Sequence, residues 1–173
     1  MNQTIETILK RKGVKKYTDQ QVSDSDLQVI LEAGIAAPSG RNLQARHFTV
    51  VQNKELLKEI NDGVHTLMNA APDYVPLYGA PTLIIASAPV DIPHADMDCA
   101  VAIENMLIAA TSLGLGSRFI VTPTRYIESN PQVKKVLGIP EGYRSVACMI
   151  LGYDADPSQP PVERNKNVVN FVK

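Results

Sequence analysis

Apolar and polar residues alternate along the chain at two different spacings. In four stretches the apolar residues recur every three or four positions, which places their side chains on one face of a helix. Ser23 or Asp24 stands where the second of these helices needs its N-cap. Helices are therefore predicted over residues 4–12, 24–36, 54–68 and 130–137.

Short apolar runs form the second pattern. They are rich in Val, Ile, Leu and Phe and are bounded by Pro, Gly or polar residues, which is typical of strands. Strands are predicted over His47–Val51 and over residues 82–88, 118–121 and 145–153.

A further long helix is predicted over residues 96–113, and apolar or alanine positions surround nearly all of it. Such a helix is buried on most sides. Either a second subunit or the centre of a single core would cover it, and we favour the homodimer. The extended C-terminal tail, about residues 157–173, ends in VVNFV, which is able to pack on a neighbouring subunit.

The order of these elements defines the expected fold class. Helices come first, and strands do not alternate regularly with helices, so the pattern predicts an α+β protein with a mainly antiparallel central sheet flanked by helices. The chain of 173 residues contains no repeat and no linker. We expect one domain over residues 1–173, large enough to fold without disulfides.

Composition and charge narrow the classes of function. The formal net charge is −1 and the basic residues are dispersed, apart from RKGVKK at residues 11–16, so no nucleic-acid partner is expected. No apolar run approaches the roughly 20 residues of a membrane span, and the N-terminus lacks a secretion pattern. These features predict a cytoplasmic protein with a small-molecule partner and no membrane association.

Several kinds of chemistry lack their characteristic residues. His47, His65 and His94 have no second ligand at metal-site spacing, so no metal site is expected. Cys99 and Cys148 lie in apolar surroundings, which indicates buried thiols. The motifs GxSxG, GxxxxGK[ST] and GxGxxG do not occur, which disfavours hydrolases, kinases and Rossmann enzymes.

Four polar segments interrupt the hydrophobic pattern: RKGVKKY, PSGRNLQAR, LGLGSRFIVTPTR and PPVERNK. The second segment carries more hydrogen-bonding side chains than a turn requires. Because Arg and Lys form strong charge-assisted hydrogen bonds, an anionic group is the simplest ligand common to these segments. Taken singly, RKGVKK is most typical of a solvated helix end, GLG of a helix C-cap, ERNK of an exposed tail and the donor-rich segment of a polar surface loop.

Together and in this order, the segments resemble the nitroreductase family of FMN-dependent oxidoreductases. The family pattern is Arg-x-Ser-x-Arg/Lys-x-Phe/Tyr, then Ala-Pro-Ser-x-x-Asn-x-Gln-Pro before a strand, then Gly-Leu-Gly after a long helix, then a basic residue near the C-terminus. The corresponding segments here are RKGVKKY, APSGRNLQAR, GLGSRFI and ERNKNVVNF. The resemblance spans nearly the whole chain.

The resemblance implies a homodimeric enzyme with bound FMN, reduced by NAD(P)H, in which both chains contact each flavin. It implies that basic residues of the first and last segments hold the FMN phosphate and ribityl chain. Asn42 would face the pyrimidine edge, and Val121 and Thr122 would offer backbone N–H groups to N5. No catalytic side chain is implied, since the flavin carries the chemistry. The implied cofactor residues are Arg11, Lys12, Gly13, Lys15, Pro38, Ser39, Gly40, Asn42, Gln44, Val121, Thr122, Arg164 and Lys166.

The chain departs from the family pattern at several positions. Gly13 replaces the usual Ser and Lys15 stands where Arg is common, which predicts weaker FMN binding. Ala45 replaces Pro, and Thr122 replaces an expected Gly, which puts the contact to N5 in doubt. Residues 63–79 are short for the region that carries a lid in larger members, so the substrate pocket is expected to be open on that side.

Three classes of function fit these motifs. The first is an oxidoreductase that passes two electrons from NAD(P)H to a nitroaromatic, a quinone or a flavin by a ping-pong mechanism. The second is a non-catalytic flavin- or nucleotide-binding module. The third, and least favoured, is an unusual chemistry on the same scaffold, such as reductive dehalogenation or flavin breakdown. Tyr74, Tyr78 and Phe119 are candidates for the pocket wall, and they are equally well explained as ordinary core aromatics.

Overall fold

The structure is a computed structural model that describes residues 1–173. Its helices are α1 (Gln3–Lys10), α2 (Asp24–Ile35), α3 (Lys54–Leu67), α4 (Ala95–Ser112), α5 (Thr122–Ser129) and α6 (Pro131–Val136). Its strands are β1 (His47–Val51), β2 (Thr82–Pro89), β3 (Gly116–Ile120) and β4 (Tyr143–Gly152). All predicted elements are present, with ends that differ by about two residues at most.

The four strands form one sheet in the order β1-β2-β4-β3. Every neighbouring pair is antiparallel, and β2 and β4 lie at the centre. The registers of β2 and β4 shift between Ala86 and Ser87. The predicted α+β class with an antiparallel central sheet is confirmed.

Alternation along the central strands divides the core into two halves. Ile84 and Ala86 of β2 pack on one face of the sheet, together with α2 and α4. Leu83 and Ile85 pack on the other face, together with α3, α5 and α6. Each fully buried Leu or Ile contributes about 1.5–3 kcal/mol. The result is a three-layer arrangement of helices, sheet and helices.

Helix starts and one close contact follow directly from local residues. Ser23 caps α2, as predicted, because its Oγ accepts a hydrogen bond from Asp26 N at 3.1 Å. Gly34 allows α2 to approach α4, since a Cβ at this position would lie 2.0 Å from Met106 Cε. α5 is the one helix that the hydrophobic spacing does not predict.

α4 is less enclosed than its composition predicts. Its buried residues face α2 and the sheet, but Met97 is 65% exposed and Val101 is 40% exposed. Met97, Val101, Glu104 and Ile108 recur at helical spacing and form one side of the helix, here called the α4 stripe. The expectation of burial nearly all round is wrong for the single chain, because its own elements cover this stripe only in part and leave Met97 and Val101 exposed.

The tail and the two cysteines behave as their sequences suggest. Residues 157–173 contain no helix or strand and are exposed, and Phe171 in the tail is 79% exposed. Cys99 and Cys148 are buried free thiols, as predicted. Burial raises the pKa of Cys99 to about 12, so this thiol stays protonated. None of the helices is both long and apolar enough to cross a membrane.

Candidate cofactor site

The loop between α2 and β1 has an unusual backbone. Arg41, Asn42 and Gln44 have positive φ angles of 53°, 55° and 50°. A left-handed conformation costs a residue other than Gly roughly 1–2 kcal/mol, so other contacts must hold the loop. Gln44 N donates to Ser39 Oγ at 3.0 Å, and Gln44 Nε2 donates to Asn42 Oδ1 at 2.9 Å. Ser39 and Gln44 therefore shape the loop, while Asn42 Nδ2 makes no hydrogen bond within the chain.

Arg46 holds both ends of this loop. Its guanidinium donates to Pro38 O at 2.7 Å, to Ala37 O at 2.7 Å and to Asp98 O at 3.2 Å. Asp98 also accepts a hydrogen bond from Gly40 N at 2.9 Å through its Oδ1. The loop is thus fixed to the first turn of α4, and we call the contacts of this guanidinium the Arg46 clamp.

The first basic segment, residues 11–17, contacts the middle of α4 and is partly neutralised by the chain itself. Arg11 Nε lies 3.1 Å from Glu104 Oε1, which belongs to the α4 stripe. Lys12 Nζ lies 3.1 Å from Asp154 Oδ2 and donates to Gln159 O at 2.7 Å. Lys12 is therefore directed toward the start of the tail, whereas Lys15 is exposed and has no carboxylate within 4.0 Å.

Gly13 runs along the free edge of β3. It forms a parallel bridge with Ser117, and Val14 N donates to Ser117 O at 3.1 Å. Arg118 then lies against Gly13: its Nη1 is 3.5 Å from Gly13 O, and its Cζ lies 4.8 Å from the centre of the Tyr78 ring. No carboxylate lies within 4.0 Å of this guanidinium.

A single chain does not gather these segments into one cavity. The loop between α2 and β1, residues 36–46, is here called the donor loop, and it contacts α4 at Asp98. The first basic segment contacts α4 at Glu104. These positions are about 9 Å apart along the helix and about 120° apart around it. Arg164 and Lys166 lie in the exposed tail. A cavity of about 550 Å³ lies between α3 and residues 75–81, and none of the predicted cofactor residues lines it.

The stretch after β3 leads directly into α5. Val121 is 51% exposed and precedes the helix, and Thr122 is its first residue. The N–H groups of a first helical turn have no partner within the helix, so Thr122 presents a backbone donor at this end of the strand. The contact of this stretch with N5 stays a prediction, and Thr122 is accommodated where Gly was expected because it lies at a helical position.

α5 is held against the sheet by a partly exposed hydrogen-bond network around Glu128. Glu128 Oε1 accepts hydrogen bonds from Ser145 N and Ser145 Oγ, both at 2.8 Å, and Lys134 Nζ lies 2.8 Å from Oε2. Partial burial alone raises the pKa of this carboxyl, but the bonds from Lys134 and Ser145 together outweigh it and lower the pKa below its ordinary value. The ionised form is therefore the one that stabilises the fold.

Glu128→Gln is expected to cost about 0.5–1 kcal/mol of unfolding free energy at pH 7, because the charge in the hydrogen bonds is lost and solvent screens part of its contribution. Since the folded pKa is lowered, the contribution of Glu128 is complete above its unfolded pKa of about 4.3 and declines as the pH falls below that value. Urea unfolding at pH 7 and pH 3 should therefore show the difference shrinking in acid. Glu163→Gln in the exposed tail is the control, and an equal difference at both pH values would contradict the assignment.

The candidate wall aromatics fall into two groups. Tyr74 and Tyr78 form an edge-to-face pair with centroids 6.2 Å apart, and Tyr78 packs against Arg118. Phe119 is 41% exposed and does not belong to either half of the core. The core explanation therefore fails for Phe119, which is available on the surface of β3.

Three residues of the site were not predicted from the sequence: Arg46, Asp98 and Arg118. The sequence signal for Arg46 was its place at the end of a donor-rich loop, and Arg118 stood within the Gly-Leu-Gly segment. Their partners are remote in sequence, and only the packing of the loop on α4 and of Gly13 on β3 defines them.

Comparisons with known proteins give this arrangement its context. The model of the nitroreductase family matches residues 8–153. An NADPH-flavin oxidoreductase of Vibrio harveyi is 30% identical over 171 residues, which cover 93% of this chain and 70% of that protein. A nitroreductase with bound FMN from Bacteroides fragilis superposes with a TM-score of 0.90 and is 35% identical, with complete coverage of both chains. A nitroreductase with bound FMN from Desulfitobacterium hafniense gives a TM-score of 0.92 at 30% identity, again over both whole chains. The chain therefore belongs to the nitroreductase family.

Proposed function

We propose that this protein is an FMN-dependent oxidoreductase that transfers two electrons from NAD(P)H to a small oxidised acceptor, such as a nitroaromatic, a quinone or a flavin. The observation that carries the proposal is the accessible donor set at the family positions. Lys15, Asn42 Nδ2 and the N–H of Thr122 all remain without a partner in the chain. The FMN found in full-length structural neighbours, at 35% and 30% identity, supports the choice of cofactor.

The chemistry of these residues fits the parts of FMN. A terminal phosphate needs cations and donors, which Lys15 and the tail residues Arg164 and Lys166 would supply without breaking an ion pair. Arg11 would share its charge between Glu104 and the cofactor. The polar edge of a flavin ring needs neutral donors, and the amide of Asn42 is the one that the donor loop leaves available.

When bound, FMN supplies the two-electron redox chemistry. The chain then has to orient the ring, exclude water from one of its faces and admit reductant and acceptor in turn. Pro38, Ser39, Gly40 and Gln44 would serve by keeping the loop of Asn42 in its left-handed conformation. Shared use of one pocket predicts ping-pong kinetics, seen as parallel lines in double-reciprocal plots.

A homodimer would complete this site. The exposed α4 stripe lies on the side of α4 that Arg11 contacts, so a subunit covering the stripe would also approach the first basic segment. The exposed VVNFV of the tail offers additional apolar surface. Both features together support a site built from two chains, with the donor loop of one chain facing the basic segment of the other.

The dimer is expected to be obligate, with an interface above about 2,000 Å² if the stripe and the tail are both buried. Sedimentation equilibrium of wild type should show one dimeric species across the accessible concentration range. Val101→Glu on the stripe should favour monomers and reduce FMN binding together, whereas Val136→Glu, at an exposed position of α6, should change neither. A wild-type monomer that retains its flavin would contradict the dimeric site.

The function is tested by the visible spectrum of the protein after loading with FMN. Without oxygen, NADH or NADPH should bleach the flavin absorbance, and a quinone or nitroaromatic should restore it. Steady oxidation of NAD(P)H should follow when both substrates are present. A protein that binds FMN but leaves NAD(P)H unoxidised with every acceptor would instead be the non-catalytic flavin-binding module.

A further inference from the structure

Arg118 is a partly buried cation that lacks an anionic partner. Its guanidinium has five N–H donors, and its contacts within the chain are a long hydrogen bond to Gly13 O at 3.5 Å and the face of Tyr78 at 4.8 Å. The nearby phenols do not neutralise it, because burial raises the pKa values of Tyr17 and Tyr74 and keeps both protonated. Charges removed from water are normally paired, so this guanidinium has free capacity for an anion.

The absence of a side chain at position 13 gives the guanidinium its place. A Cβ on Gly13 would lie 3.1 Å from Arg118 Nη1 and 3.6 Å from Arg118 Cγ. The first of these distances is tighter than an ordinary van der Waals contact, so a side chain at position 13 would require Arg118 Nη1 to shift by a few tenths of an ångström. A side chain on the first segment at position 13 and the guanidinium that reaches this segment from β3 therefore compete for the same space.

We propose that Arg118 binds the FMN phosphate in place of the hydroxyl that the first segment lacks at Gly13. The inference rests on the proposed function and assigns a further cofactor-binding residue to that site. A guanidinium donates two parallel hydrogen bonds to a phosphate, whereas a hydroxyl donates one. The substitution of Ser by Gly, taken from sequence alone as a loss of affinity, is then compensated from the neighbouring strand.

The test uses flavin-free protein and measures dissociation constants for FMN and for riboflavin by quenching of flavin fluorescence at low and high salt. Arg118→Gln should weaken FMN binding by about tenfold or more at low salt and leave riboflavin binding within about twofold. Arg125→Gln, which removes an exposed and unpaired arginine from α5, is the matched control and should change neither constant. Circular dichroism and thermal unfolding of each variant show whether it is folded.

A second pair of variants tests whether a side chain at position 13 and the Arg118 guanidinium compete for the same space. Gly13→Ser in the wild-type background should weaken FMN binding, because it displaces the guanidinium. The same change in the Arg118→Val background should strengthen FMN binding, because the hydroxyl then has room. A reversal of sign between the two backgrounds is a result that a purely structural role of Arg118 does not produce.

The outcomes separate this inference from the proposed function. Wild-type protein that binds neither flavin would overturn both. Wild type that prefers FMN to riboflavin, combined with Arg118→Gln that keeps that preference unchanged, would overturn only the role of Arg118. Equal weakening of FMN and riboflavin by Arg118→Gln in a folded protein would also overturn it, since the contact would then be to the ring or to the loop.

Discussion

Arg46→Met is expected to destabilise the protein by about 2–4 kcal/mol, the largest effect on stability of any single change discussed here. Methionine keeps the apolar stem of the side chain but removes every donor of the Arg46 clamp. Pro38 O, Ala37 O and Asp98 O would lose charge-assisted hydrogen bonds, and the hydrogen bond from Gly40 N to Asp98 Oδ1 would remain to hold the loop on α4. Urea unfolding followed by circular dichroism measures the loss.

Arg46→Met should also weaken the binding of the flavin. The clamp determines where Asn42 lies relative to α4, so Arg46→Met should weaken FMN and riboflavin to a similar degree. Arg46→Lys should give intermediate values, because one ammonium cannot span carbonyls that a planar guanidinium contacts together. Arg41→Met in the same loop is the control, since Arg41 is exposed and makes no side-chain hydrogen bond. Equal unfolding free energies for Arg46→Met and Arg41→Met would show that the clamp contributes nothing.

The sheet and most helices could be predicted because their signals are local. The apolar run of β2 reflects burial of both faces of a central strand, whereas the helical spacing in α2 and α3 reflects burial of one face of each helix, and the structure buries those faces. α5 is different, since TPTRYIES carries a proline near its start and only Ile127 and Pro123 are buried. Its packing depends on Glu128 and Ser145, which are 17 residues apart in the chain.

The site was predictable as a set of residues but not as a geometry. The donor loop and the first basic segment could be identified from the sequence, because both match motifs of the nitroreductase family in the family's order. The two faces of α4 that these segments contact depend on long-range packing, as do the partners of Arg11 and Lys12. Arg118 shows what the sequence cannot predict. The strand that carries Arg118 was predicted, but the contact between Arg118 and Gly13 depends on the bridge between Gly13 and Ser117, which was not predicted.

Asn42 and Lys15 are expected to contribute to FMN binding in different ways, and substitutions at the two positions should separate ring contacts from phosphate contacts. Loss of the Asn42 amide should cost about 1–3 kcal/mol of binding, or roughly 5- to 150-fold, for FMN and riboflavin alike, with little dependence on salt. Lys15→Ala should weaken FMN alone, and the effect should shrink at high salt, because attraction between an exposed cation and a phosphate is screened.

The choice of substitution matters at Asn42, since its φ of 55° is tolerated by Asn and Gly but is strained for Ala. Asn42→Gly removes the amide and keeps the backbone conformation accessible, whereas Asn42→Ala removes the amide and adds strain. If the amide contacts the flavin ring, both variants should lose affinity by the same order, and Asn42→Ala should in addition unfold more easily. If Asn42 serves only the loop, Asn42→Gly should bind FMN and riboflavin like wild type while Asn42→Ala loses stability. Two measurements decide between these roles: titration with FMN and riboflavin at low and high salt, and urea unfolding of the same samples. If Asn42→Gly bound both flavins with wild-type affinity, the proposed contact with the flavin edge would be refuted.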